Sequence, residues 1–205
     1  MVRYLEILMG ADQRVSTLKA SSGSLDSSVV NVLIDKLSFD LVSPIHEEDL
    51  KKRLTSAAIP FRLMKHRDGR WCVQVGAASS GLYFRLRSKT SPFVSQLITR
   101  PSAFPNFEEY LAYLKQILFE QEIQDLRLTR LDLAIDYSQP ISSVLPGFDF
   151  KWKQAQVSFI DEGGQRTGVR IGKGTEKLQI YDKAIESNLP HFLTRIEIQL
   201  SGAKL

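Results

Sequence analysis

The chain has 205 residues, 43% hydrophobic and 24% charged, with a formal net charge of +4. That is enough apolar content for one large domain or two small lobes of a soluble globular protein. It excludes a bilayer-spanning helix, because the apolar stretch Tyr4 to Met9 is too short and Val29 to Leu37 is broken by Asn31 and Asp35. Glu6 interrupts any signal-peptide core, so the cytoplasm is the expected compartment. Cys72 is the single cysteine, which leaves no internal disulfide and no zinc spacing. A pI near 9.2 favours a polyanionic partner without requiring one.

Residues 1–28 are expected to form an N-terminal segment with a Ser-rich mobile loop, and residues 29–205 the working domain. The pattern from Val30 to Val42 predicts a strand, and 46 to 57 a short helix opened by Glu47, Glu48 and Asp49. Phe61 to Met64, Trp71 to Val75 and Leu82 to Arg87 read as antiparallel strands separated by Asp68-Gly69 and by Gly76 to Gly81. A longer helix is expected over 107–121, with Asn106 and Glu109 as a capping pair and an apolar stripe at helical spacing.

The last third alternates strands with Gly-marked turns: Leu128 to Tyr137, Ala155 to Ile160, Gly168 to Lys173, Lys177 to Tyr181 and Phe192 to Leu200. The class is therefore α+β, a mainly antiparallel sheet with a few packed helices. A chain end at Leu205, soon after a strong strand, predicts a further C-terminal region in the natural protein.

Side chains alternate faces along a strand, so Arg130, Asp132, Ala134 and Asp136 share one face and Leu131, Leu133 and Ile135 the other. The same parity groups Arg195, Glu197 and Gln199 against Ile196, Ile198 and Leu200, and Lys177, Gln179 and Tyr181 against Leu178 and Ile180. If these strands are neighbours with their apolar sides in the core, Tyr181, Asp132 and Glu197 look out from one polar surface. A hydroxyl nucleophile, carboxylates for a hard divalent ion and Arg or Lys for phosphate are the parts of phosphodiester transesterification. Along a straight strand Asp132 and Asp136 lie roughly 13 Å apart, whereas adjacent strands are about 4.8 Å apart. A cross-strand pair, Asp132 with Glu197, is thus the better metal site, with Asp136 joining if the strand bends near Tyr137. Histidine chemistry finds no support, since His46, His66 and His191 stand alone. Gly172-Lys173-Gly174-Thr175 lacks the Walker spacing and reads as a hairpin turn.

Each part has a plainer reading. A strand tyrosine commonly packs, and Arg130 with Asp132 or Arg195 with Glu197 are ordinary ladder ion pairs. A DNA-binding module without catalysis, or a structural protein whose polar sheet face packs on a missing domain, would use the same residues differently.

Arg130-Leu-Asp-Leu-Ala-Ile-Asp136, Gly168-Val-Arg-Ile-Gly172, Leu178-Gln-Ile-Tyr-Asp-Lys183 with Glu186, and Arg195-Ile-Glu197 together resemble the replication initiators of small rolling-circle plasmids and phages, the Rep_trans type, which includes relaxases of some conjugative elements. Weaker echoes stand at Ile34 to Phe39 and Phe104 to Glu109. The resemblance implies a site-specific DNA endonuclease and strand transferase acting at a replication origin. Tyr181 would attack the nicking-site phosphate, with Lys183 of the same motif as a second catalytic candidate. It also implies a carboxylate-held Mg²⁺ or Mn²⁺, for which Asp132, Glu197 and Asp136 are the candidates. Arg130, Arg170, Lys173, Lys177 and Arg195 are the expected DNA contacts. The expected partners are origin DNA, single-stranded or in a hairpin at the nick, host replication proteins, and a second copy in a dimer.

Overall fold

The computed structural model describes residues 29–65, 69–77, 81–88, 91–147, 156–172 and 174–202. Expectations for the N-terminal segment, for the C-terminal end and for Lys173 lie outside those residues. The chain divides into two compact units, one running from Asp35 to Leu131 and the other from Asp132 onward together with the start of the first strand. No helix among the described residues is long and apolar enough to cross a membrane.

In the first unit, strand β1 (Val29–His46) leads into helix α1 (Glu47–Ser56). Strands β2 (Phe61–Lys65), β3 (Trp71–Val75), β4 (Leu82–Leu86) and β5 (Phe93–Thr99) follow. Helices α2 (Phe107–Ile117) and α3 (Glu120–Gln124) then precede strand β6 (Leu126–Tyr137), whose second half belongs to the other unit. The strand order is β2-β3-β4-β5-β1-β6. The pairs from β2 through β5 to β1 are all antiparallel. Val73, Phe84 and Leu97 pair across β3, β4 and β5 and are fully buried, as are Leu50 and Leu54 of α1.

Local chemistry sets the helix ends. Asn106 accepts from the Glu109 amide at 2.8 Å and donates back to the Glu109 carboxylate at 3.1 Å, the expected reciprocal cap. The helix expected over 107–121 breaks at Leu118, which is extended, because Glu122 caps a new start by accepting from the Phe119 amide at 2.9 Å. Strand β5 has no counterpart in the sequence reading. A bulge between Arg85 and Leu86 shifts the β4 register there, and Phe93 to Thr99 lacks clean alternation.

The second unit contains the end of β6, a single helical turn α4 (Ile141–Val144), strands β7 (Val157–Glu162), β8 (Gln165–Ile171) and β9 (Glu176–Asp182), the short helix α5 (Lys183–Ser187), and strand β10 (Thr194–Ser201). Its order is β6-β10-β9-β8-β7, and the pairs β7–β8, β8–β9 and β9–β10 are antiparallel. The fold class is α+β with a mainly antiparallel sheet, as the sequence implies. On the side expected to be apolar, Ile180, Ile196 and Val144 form a buried cluster with Ile135, Leu178 and Val169 packed against it, whereas Ile198 on that side is exposed.

Candidate functional site

Hydrogen-bonded registers bring the expected residues of β9 and β10 together on one face of the second unit. Tyr181 stands opposite Arg195, and Gln179 opposite Glu197. On the other side Tyr181 faces Gly168 and Gln179 faces Arg170 of β8. A chain of polar contacts runs across these strands. Arg170 donates through Nε and Nη2 to Gln179 Oε1 at 2.9 and 2.7 Å. Gln179 Nε2 donates to Glu197 Oε1 at 3.2 Å, and Tyr181 Oη donates to Glu197 Oε2 at 3.4 Å.

A guanidinium has no acceptor, so it fixes the Gln179 amide with oxygen toward Arg170 and nitrogen toward the carboxylate. Glu197 thereby offers its second oxygen to the phenol. That contact is long for a hydroxyl donor.

Gly168 leaves room for Tyr181. A Cβ there would lie 2.5 Å from the Ile180 carbonyl oxygen and 2.6 Å from Tyr181 Cβ. Its backbone is not left-handed, so glycine serves here as space: a side chain would occupy the volume in which Tyr181 sits. The strand then ends at once, because Asp182 accepts from the Ile185 amide at 3.0 Å and starts α5. Lys183, at the first position of that helix, pairs through Nζ with Glu186.

The polar face is less open than an outward-looking surface would be. Asp132 is 1% exposed, Asp136 5% and Glu197 8%, because parity decides which side a residue takes and says nothing of what covers that side. Asp136 is held by Arg195, whose Nε and Nη2 reach its two oxygens at 2.7 and 2.8 Å. Arg195 thus makes a forked, buried pair with Asp136, a partner that the strand parity did not single out. Arg130 belongs to the first unit. Lys177 stands opposite Gln199, two rungs beyond the Gln179–Glu197 pair. Tyr137 sits on the opposite, apolar side against the Ile180 cluster, and burial raises its phenol pKa.

Among the described residues no group of three or more His, Cys, Asp or Glu converges as a metal cage. A hard divalent ion can be bound by one or two carboxylates when phosphate oxygens and water complete its shell. Glu197, whose oxygens meet the neutral donors of Gln179 and Tyr181, suits one such ligand, whereas the Asp136 charge already meets the Arg195 guanidinium.

No protein-family model matches the chain, and no curated protein does. Among solved structures, that of a rolling circle replication initiator protein from Geobacillus stearothermophilus matches over 85% of this chain and 75% of that one, with a TM-score of 0.52 at 17% identity. The two proteins share the fold.

Proposed function

We propose that the second unit nicks and rejoins one DNA strand to start rolling-circle replication, with Tyr181 as nucleophile. The observation that carries this reading is the Tyr181 hydroxyl held against the Glu197 carboxylate, over a glycine that leaves room for the ring. Its setting is the fold shared with a rolling circle replication initiator.

In the proposed step the phenol gives its proton to Glu197 while Tyr181 Oη bonds to phosphorus. The bond from phosphorus to the 3′ oxygen breaks, and that oxygen leaves with the electron pair and takes up a proton. The product is a 5′-phosphotyrosine and a free 3′-hydroxyl able to prime synthesis. Attack by a 3′-hydroxyl on the phosphotyrosine runs the step backward and rejoins the strand. A Mg²⁺ or Mn²⁺ ion held by Glu197, with Asp132 as the second carboxylate, would supply electrostatic stabilisation of the pentacoordinate phosphate. Arg170, Lys173 and Lys177 would hold the flanking phosphates of a single-stranded or extruded substrate, and Lys183 would stand next to the reacting group as a positive charge.

Tyr181→Phe removes the hydroxyl and keeps the ring. Incubated with single-stranded DNA and Mg²⁺ or Mn²⁺, the intact chain should form a covalent adduct and the variant none, with equal binding by both. An adduct formed by the variant would remove Tyr181 from the nucleophile's role. Binding without cleavage by the intact chain would support the DNA-binding module instead.

A further inference from the structure

The first unit carries a second copy of the Arg–Gln–carboxylate ladder. Arg85 of β4 donates to Gln96 Oε1 of β5 at 2.6 Å, and Gln96 Nε2 donates to Asp40 Oδ1 of β1 at 3.1 Å. These three strands are antiparallel neighbours, and Arg85, Gln96 and Asp40 stand opposite one another, as Arg170, Gln179 and Glu197 do on β8, β9 and β10.

The correspondence continues one rung further. Two residues beyond Gln96 is Ile98, where Tyr181 follows Gln179. Opposite Ile98 stands Tyr83, in the place that Gly168 takes opposite Tyr181. The copy therefore keeps the guanidinium and its amide relay and lacks both the nucleophile and the space for it.

What this face retains is positive charge and an aromatic ring. Arg62 of β2, exposed at the surface, donates to Gln74 at 2.7 Å on the Tyr83 rung. Arg100 is also exposed and lies against Gly81, where a Cβ would stand 2.8 Å from its own Cβ, and this places it beside the same rung. Of these arginines, Arg85 is linked through Gln96 to the Asp40 carboxylate, while Arg62 and Arg100 are exposed. We infer that this face is a second, non-cleaving nucleic-acid site, which holds a single-stranded DNA segment by its phosphates with the three arginines while a base stacks on Tyr83. The inference rests on the reading that the second unit's ladder handles DNA.

Arg62→Ala with Arg100→Ala tests it, since both side chains are exposed and the core is left intact. Fluorescence anisotropy of labelled oligothymidine across a salt series should show weaker binding. The slope of log affinity against log salt should fall by about 1.4, at about 0.7 for each phosphate that is no longer neutralised. Tyr83→Leu should weaken binding with the slope unchanged. At saturating oligonucleotide the double variant should form as much Tyr181 adduct as the parent chain. If the parent forms no adduct and the double variant still binds more weakly with the smaller slope, nicking fails and this site stands. Unchanged affinity and slope in the double variant, or a duplex that competes as well as the single strand, would overturn it.

Discussion

Gly168→Ala adds one methyl group beside the proposed nucleophile. The new carbon would stand 2.6 Å from Tyr181 Cβ, 2.8 Å from Tyr181 Cα and 2.5 Å from the Ile180 carbonyl oxygen. Carbon atoms rest about 3.5 to 4.0 Å apart, so relief requires the two strands to separate, or Tyr181 to move, by about 1 Å. Two of the three close neighbours are backbone atoms, which no side-chain rotation can clear. Overpacking of this kind costs about 1 to 3 kcal/mol of stability. A displacement of about 1 Å at a reacting atom costs about 100-fold in rate, or about 2.7 kcal/mol in the barrier. Single-turnover formation of the covalent adduct should therefore slow about 100-fold. Binding of the same oligonucleotide should hold, because Arg170 and Lys177 are untouched. Circular dichroism and a denaturant melt show whether the second unit is still folded. A folded Gly168→Ala variant with the parent's adduct rate would refute the claim that this glycine makes room for the nucleophile.

Glu197→Gln keeps shape and removes the charge proposed to accept the phenol proton, so nicking should fall steeply and calorimetric Mn²⁺ binding should weaken; parent-like values in both would leave Glu197 a ladder residue. Asp136→Asn should destabilise the second unit by about 3 to 5 kcal/mol, since it removes the charge that the buried Arg195 guanidinium grips with two hydrogen bonds, and a urea melt reads this directly. Burial raises the Tyr110 phenol pKa above its ordinary value of 10. Between the unfolded and folded pKa the unfolded state alone ionises, so Tyr110 should make stability fall as pH rises above 10, by up to about 1.4 kcal/mol per pH unit, and Tyr110→Phe should make the fall shallower.

The sequence reading captured the parity of β6, β9 and β10 because period-2 alternation is a local property of each strand. Tyr181, Gln179 and Glu197 fall on one face for that reason alone. The long-range partners were not legible. Which acid Arg195 meets depends on the stagger of β10 against β6, and the answer, Asp136, lies on a strand 59 residues away in sequence. Gly168 was visible as a strand glycine that opens the Gly168-Val-Arg-Ile-Gly172 motif, and its role as space needed the β8–β9 register that places it opposite Tyr181. The helix over 107–121 was broken by a competing cap at Glu122, because a side-chain acceptor three residues ahead of Phe119 suits a new helix start as well as a continued turn. The short helices α4 and α5 have too few residues to show a period. The ladder in the first unit was hidden for a different reason: its Arg, Gln and Asp come from three separate strands whose sequences do not align in order with those of the second unit.

Mass spectrometry can locate the bond between the protein and the DNA. The intact chain would be incubated with a randomised pool of single-stranded oligonucleotides and Mn²⁺, digested with protease and nuclease, and examined by mass spectrometry for a peptide carrying one nucleotide. The account predicts a 5′-phosphate linked to the tyrosine of the peptide Leu178 to Lys183, abolished by Tyr181→Phe. A nucleotide attached to Tyr137, Tyr83 or any other residue, or strand cleavage with no covalent peptide at all, would contradict it.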